Sequence, residues 1–506
     1  MSPARSVELK IPPPVAGVNL AVGIDKLQPH EALNLRGFEF DEYATMGVPR
    51  APKSLGTIVA GQKILSAHMF QRASGATQLI IHLDDGSLRY STDFLTTSGS
   101  ATWTTIATGL STTLPFHYIT WLSAVWMGNG TNDFRKWDGT TQTTYPTAPK
   151  GAFLALWRDT LWMSGDTTNA DRVYQCAPGD PTVWPALNFV DIEKGAGRGI
   201  TGLTSVESSL VVCKLLTTHI IFDPVEYTNR TIDRGKGCLS HSSIVSHGGS
   251  VYFVSHLGVC RFLGDGPSEL VSDKIAPIFD DLYVFGTSLG AQVFDTARET
   301  HIWGFSFENF VGWYIPSNSF SQYIKYFPSL PEKPWLFGTP TEVPSANKSV
   351  AVSVREPGEY AELYRIGGSP AIIVREYGGA IDDAIACEWG SAWFDFDQPT
   401  QEKYVDMVQI LHRGPLDIRI KRNYDDDEFR EVATGLDHGQ PELHESTVFT
   451  DEYARSIQLY ITSTTNPGER KQIVGSGLSG VASITRFQAA IAAVVVTAQM
   501  LGTMRR

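Results

Sequence analysis

The sequence predicts an all-β chain: a β-propeller of six or seven blades, with an extended N-terminal arm before it and an added antiparallel β-sheet region after it. Three observations carry that prediction. Turn formers and aromatics are abundant among the 506 residues, with 46 Gly, 12 Trp, 18 Tyr and 25 Phe, while charged residues make up only 19%; that mix favours strands over helices. No long Ala/Glu/Lys/Leu stretch shows a helical period. Hairpin-like segments recur along the chain at a spacing that suits four-stranded blades.

Residues 1–55 read as the arm. They contain "IPPPVAG" and "GVPRAPKS" and few continuous apolar runs. Such a segment stores little structure of its own and can dock on a neighbouring surface. Val18, Leu20, Leu27, Leu35 and Phe38 are its candidate anchors, expected to be buried on a neighbouring subunit or an adjoining protein. Completion of a blade within its own chain is the alternative use of the arm.

Residues 56–383 read as the blades. Six segments share one pattern, a polar residue, a short apolar strand, a turn and a second strand. They start at Thr77, Ser123, Asp159, Ser208, Ser250 and Thr300, with spacings of 46, 36, 49, 42 and 50 residues. "SVYFVSHLGVCRFLGDG" from Ser250 is a clear example. A seventh unit is expected to begin at "KPWLFG" (Lys333 to Gly338) and return at "AELYRIGG" (Ala361 to Gly368). Sandwich strands recur more closely, about every 8–12 residues. Asp85-Gly86, Asn129-Gly130 and Asp138-Gly139 supply residues that tolerate positive φ at hairpin turns.

Residues 384–506 alternate apolar and polar over strand lengths in "KYVDMVQILH", "LDIRIKR", "RSIQLYITST" and "KQIVGSG". They read as an added antiparallel sheet, or as strands that close the last blade. The apolar run Ala489 to Ala498 is too short for a membrane helix, which needs roughly 20 residues; Val494, Val495 and Val496 favour a buried strand. The chain's start has no apolar core of a secretory signal, and no membrane insertion is expected.

Net charge is −13, which disfavours gripping nucleic acid by its phosphates. The five cysteines, Cys176, Cys213, Cys238, Cys260 and Cys387, are too few and too spread for a disulfide framework and suit a reducing cytosol. Cys238, His241, His247, His256 and Cys260 cluster in sequence, but their spacing matches no zinc knuckle, so no metal is expected. "STDFLTTSGSATW" (Ser91 to Trp103) has a faint likeness to the Asp-box turn of sialidases, which is structural. "KWDG" at Lys136 lacks the Gly-His partner of a WD repeat, and Asp425, Asp426, Asp427 and Glu428 lack the spacing of a calcium loop. With no catalytic pair legible, no enzyme activity and no cofactor are expected.

The stretch "AGVNLAVGIDKLQPHEALNLRGFEFDEYATMGVPR" places Gly17, Asn19, Asp25, Leu27, Pro29, Glu31, Ala32 and Arg50 in one order. It resembles the opening of bacteriophage tail and neck propeller proteins, the nozzle-type proteins of short-tailed phages among them. Gly37 and "RAPKS" depart from that pattern, while Cys387 to Ile410 resembles the strand pair that follows the blades in such proteins. The resemblance implies a virion structural protein made in the host cytoplasm. It implies a six-copy cyclic homo-oligomer that meets adjoining tail or neck ring proteins and surrounds passing DNA without reading its sequence. The alternatives are a host-surface propeller that binds or cleaves glycans, and a cytosolic scaffold.

Overall fold

The computed structural model describes residues 6–23, 26–40, 46–47, 53–59, 61–72, 77–94, 101–195, 197–279, 302–315, 322–338, 349–354, 362–367, 371–375, 386–396, 400–413, 415–423, 428–436, 444–464 and 490–500. Among these residues seven four-stranded antiparallel units form a ring, a seven-bladed β-propeller. Blades 1 to 5 begin with the strands Ile64–Gln71, His117–Trp121, Phe153–Trp157, Ile200–Ser205 and Val245–His247. Blade 6 runs from Trp303–Phe307 to Trp335–Phe337. Blade 7 takes three strands from Ser349–Val354, Glu362–Gly367 and Ala371–Arg375. First strands of neighbouring blades pack side by side, except that between blades 4 and 5 the turn His241–Ser243 packs on Ile200–Ser205; Ser349–Val354 lies against both Trp303–Phe307 and Ile64–Gln71.

Burial within a blade follows its position in the ring. The second strands Ala124–Gly128, Thr160–Ser164, Leu210–Lys214, Ser250–Ser255 and Phe310–Ile315 are buried throughout, because both of their faces meet a neighbouring blade. Outer strands such as Gln142–Tyr145 and Phe189–Asp191 are half-buried or exposed. This is why the most continuous apolar run of each unit was its most legible part. The turn glycines take the expected conformation, with φ of +74° at Gly86, +82° at Gly130 and +96° at Gly139.

Three boundaries differ from the sequence reading. The first five segments are second and third strands of their blades, but the sixth, from Thr300, supplies the first and second strands of blade 6. Its first strand is aromatic enough to mimic a second strand. "KPWLFG" is the fourth strand of blade 6, and "AELYRIGG" the second strand of blade 7. Blade 7 is closed by Lys53–Val59, which pairs antiparallel with Ala371–Arg375; the C-terminal strands do not close it. Gly56 interrupts the apolar pattern of that closing strand, which hid it.

The C-terminal region is a β-sandwich joined to blade 6. One sheet has six strands: Ser6–Ile11, Glu39–Phe40, Met46–Gly47, Ala490–Met500, Lys403–Arg413 and His444–Ala454. The other continues blade 6 into a nine-stranded sheet through Ala32–Arg36, Ala386–Phe394, Ile457–Thr464, Leu416–Arg422 and Arg430–Leu436. Val405, Val408, Ile410, Val494 and Val496 of the first sheet share one core with Ile418, Ile420, Leu459 and Ile461 of the second. The valine-rich run is the buried strand expected of it, between Ser6–Ile11 and Lys403–Arg413. Among the described residues no helix is long and apolar enough to cross a membrane.

Candidate interaction surfaces

The arm is a structural seam of its own chain. Val18, Leu27, Leu35 and Phe38 are buried, and Leu20 is partly buried, all against the core shared by blade 6 and the sandwich. Their docking on a neighbouring subunit is therefore corrected: their apolar surface is already covered. The physical reason is architectural. A sandwich hung on one blade needs a wall between the two, and the arm is that wall. Val18 N–H donates to the Trp335 carbonyl at 2.9 Å, and Gly37 N–H to that of Phe337 at 3.2 Å. Ala32–Arg36 pairs antiparallel with Ala386–Phe394 and touches Phe337 in parallel.

The residues of the N-terminal motif sit along this seam. Gly17 has φ of +72°, and a Cβ there would lie 2.6 Å from the Trp335 backbone. Asn19 Nδ2 donates to Glu31 Oε1 at 2.9 Å, and Glu31 also accepts from Gln28 N–H at 3.1 Å and pairs with Lys274 at 3.6 Å. Asp25 and Arg50 lie outside the described residues. The motif thus encodes a loop clamped to blade 6. Polar ties complete it: Lys325 pairs with Glu39, and Asn34 Nδ2 donates to Glu388 at 2.9 Å.

The propeller's own channel is bridged. His241, on the turn before blade 5, packs its ring 4.5 Å from that of His117 in blade 2 and 4.8 Å from that of Phe153 in blade 3. It also accepts from Leu203 N–H of blade 4 at 3.3 Å. A side chain that meets blades on the far side of the ring must lie across its middle. Nearby, His68 stacks on Tyr118 at 5.2 Å and its Nε2 lies 2.8 Å from Thr120 Oγ1. Burial pulls His68 and His241 down to about 4, and it pushes the Tyr118 hydroxyl up.

One face of the ring carries exposed apolar tips. In blades 2 to 5 the turns joining first to second and third to fourth strands emerge on this face, because these blades run in the same sense. There Leu187 is 84% exposed, Val225 77%, Leu263 60% and Leu122 57%, with Val183 and Phe222 also exposed. They form an arc over blades 2 to 5. The opposite face exposes Leu114, Leu216 and Leu257. Leu122 sits at φ +52° beside Ser123 at φ +56°, a conformation that favours Asn or Gly. An exposed leucine there gains nothing in burial and strains its backbone. Asp138, Asp159, Asp180, Asp223, Glu226 and Asp265 lie among the tips, with Arg158, Lys136 beside Asp138 and Arg72 against Gly139 as opposing cations. The Thr182 hydrogen bonds on Asp180, and the Val225 and Glu226 N–H groups on Asp223, hold both carboxyls below the usual range. The arc is therefore apolar and acidic. Sequence periodicity missed it, since tips belong to turns; apolar residues inside turn segments were the available signal.

The remaining candidates serve as structure. Cys238 and Cys260 are buried, His247 Nδ1 lies 2.8 Å from Ser306 Oγ, and His256 is exposed, so the Cys/His cluster disperses. Among the described residues no group of three or more His, Cys, Asp or Glu could hold a metal ion. Asp93 accepts from Ser91 Oγ at 2.6 Å and Thr102 N–H at 2.9 Å, tying a hairpin turn; Gly99 lies outside the described residues. Trp137 Nε1 donates to Gln78 at 2.9 Å, locking blade 2 to blade 1, while Asp138 caps its own turn. Asp425, Asp426 and Asp427 lie outside the described residues, and Glu428 is exposed.

No family model matches the chain, and no curated protein matches it. Solved structures do, at low identity. The chain is similar to BBS1N, solved in complex with ARL6DN (10% identity, TM-score 0.42, 66% of this chain and 97% of that one). It is similar to YCF48 bound to D1 peptide (11%, TM-score 0.39, 65% and 97%). It is likewise similar to the Pan2 WD40 domain of Neurospora crassa (9%, TM-score 0.41, 66% and 97%).

Proposed function

We propose that the protein is a non-enzymatic, ring-forming structural component of a phage tail or neck, nozzle-like, whose copies surround passing DNA. The observation that carries this reading is the arc of exposed apolar tips on blades 2 to 5. Exposed apolar residues gathered on one face can mark an interaction site, and here they lie on the turns of four successive blades. A second copy of the chain covers this arc in a head-to-tail contact, which closes into a ring when the rotation is right. In this reading the DNA path is the lumen between copies rather than the propeller channel that His241 crosses, and the net charge of −13 favours sliding over gripping. The arm is internal to each copy and holds its two halves together.

Light scattering and negative-stain imaging of the purified chain test this. A cyclic species of about six copies is expected from the family resemblance. Replacing Leu187 and Val225 by Ser should leave the stability of the folded chain within about 0.5 kcal/mol of the parent and abolish the ring. A chain that stays monomeric at high concentration and cleaves surface glycans would replace this reading with the enzymatic one.

A further inference from the structure

After its outer strand, Asn229–Arg234, blade 4 turns back on itself. Cys238 N–H donates to the Lys214 carbonyl at 3.0 Å, which sets Cys238 beside Cys213 of the fully buried second strand. Thr201 Oγ1 ties the two backbones, with the Cys238 carbonyl at 2.6 Å and the Cys213 carbonyl at 3.3 Å. Gly202 stands opposite Cys213 in the ladder. A Cβ at Gly202 would lie 3.5 Å from the Cys213 Cβ and 3.6 Å from the Cys238 Cβ, so both side chains leave the backbone around one small space. Within it the two thiols are near enough for each to shift the ionisation of the other.

The other cysteines are directed elsewhere. Cys260 shares the same apolar cluster, but its Sγ donates to Ser255 Oγ at 3.5 Å. Cys176 donates to the Ala177 carbonyl and Cys387 to the Gly37 carbonyl. Cys238 has further polar company, with the Ser240 carbonyl at 3.0 Å and Ser243 Oγ at 3.4 Å. Burial opposes ionisation of Cys238, yet hydrogen bonds from Cys213 and Ser243 outweigh it and bring its thiol down. Cys213 is pushed up by its bond to Cys238 and by burial.

We propose that Cys213 and Cys238 form an oxidisable dithiol that closes to a disulfide when the protein meets a peroxide. Cys238, as thiolate, attacks one peroxide oxygen; the O–O bond breaks, the leaving hydroxide takes up the proton lost when the Cys238 thiol ionised and departs as water, and Cys238 becomes a sulfenic acid. The Cys213 sulfur then attacks Cys238 Sγ, its proton leaves with the displaced hydroxyl as a second water, and the S–S bond forms. Two thiols and one hydrogen peroxide give one disulfide and two waters. The bridge would tie the second strand of blade 4 to the segment leading into blade 5, across residues 214–237. Both cysteines are buried, so reaction waits on local opening of the blade edge; their place around one space in the same chain makes the second step intramolecular. This inference is independent of the assembly reading above.

The test uses the intact chain. It is incubated with hydrogen peroxide under native conditions, alkylated in denaturant and mapped by mass spectrometry. The expected result is loss of two of the five free thiols and a cross-linked Cys213–Cys238 peptide. The oxidised protein should also melt higher than the reduced one, a rise absent from Cys213→Ser. Five alkylated cysteines, a bridge from Cys238 to Cys260, or Cys238 sulfinic acid with Cys213 still free would each overturn the proposal.

Discussion

In blades 2 to 5 every strand pairs with the strand next to it in sequence, whereas in the sandwich Ser6–Ile11 pairs with Ala490–Met500 and Ala32–Arg36 with Ala386–Phe394. Both regions are antiparallel and apolar inside. They differ in how much chain must be ordered before a contact forms. A blade hairpin closes over a few residues, but the sandwich seam joins the two ends of the chain. Non-local pairing costs loop-closure entropy before it stabilises anything. Stability in the blades is therefore shared among many short-range units. In the sandwich it rests on the arm.

The largest effect expected from this difference follows removal of residues 1–29. The deletion takes Ile11, Val18 and Leu27 out of the shared core. Burying each such side chain contributes roughly 1.5–3 kcal/mol, and the sum approaches the whole stability of a typical domain, about 5–15 kcal/mol. Hydrogen exchange should show protection lost in the sandwich and blade 6 while blades 2 to 5 keep theirs. Uniform loss across both regions would break the comparison.

A smaller effect is expected at a seam between two blades. Lys214 is buried in blade 4, pairs with Asp171 of blade 3 at 2.8 Å and donates to the carbonyls of Ile192 and Glu193. Asp171→Ala leaves that cation without its carboxylate, at a cost of about 3 kcal/mol. Chemical denaturation measures the loss. Exchange should rise at blades 3 and 4 and leave the sandwich unchanged, because the contact is local. A sandwich that loosens equally would show the two regions to be one cooperative unit.

The smallest effect is acid sensitivity, and it belongs to the propeller. His68 and His241 are held down to about 4 by burial, and burial lowers His219 and His247 as well. The unfolded chain binds protons on these imidazoles first. Stability is therefore fully present above about pH 6.5 and falls as pH drops toward 4. Part-exposure limits the cost at His68 and His241 to about 1 kcal/mol each at pH 5. Melting curves against pH should slope downward over that window, and His241→Gln should flatten the slope. A pH-independent melt between 7 and 5 would exclude the channel histidines as its source.

Legibility in the sequence followed the same division. The hairpins of blades 1 to 5 were readable because the second strand is buried on both faces and runs apolar without interruption, as in Leu210–Lys214. Blade 6 slipped by one strand because Trp303–Phe307 is as aromatic as a second strand. Val18, Leu27, Leu35 and Phe38 were legible as anchors, since isolated large apolar residues in a polar arm have few other uses. Which surface they meet was not legible, because no local pattern names a partner hundreds of residues away. The acidic apolar arc was hidden for another reason: its members sit in turns, one or two per blade, and converge only in space.

Strand content, hairpin spacing and turn chemistry were determined by the sequence itself, because each depends on residues within a few positions of one another. Alternation sets which face of a strand is buried, and Asp-Gly or Asn-Gly pairs set where it turns. Tertiary structure alone decided that Lys53–Val59 closes blade 7, that blade 6 extends into the sandwich, and that His241 crosses the channel. It alone brought Cys213 against Cys238. Each of these joins segments whose side chains fit several surfaces nearly as well. The choice among them is made by which arrangement leaves the fewest apolar faces and backbone groups uncovered across the whole chain.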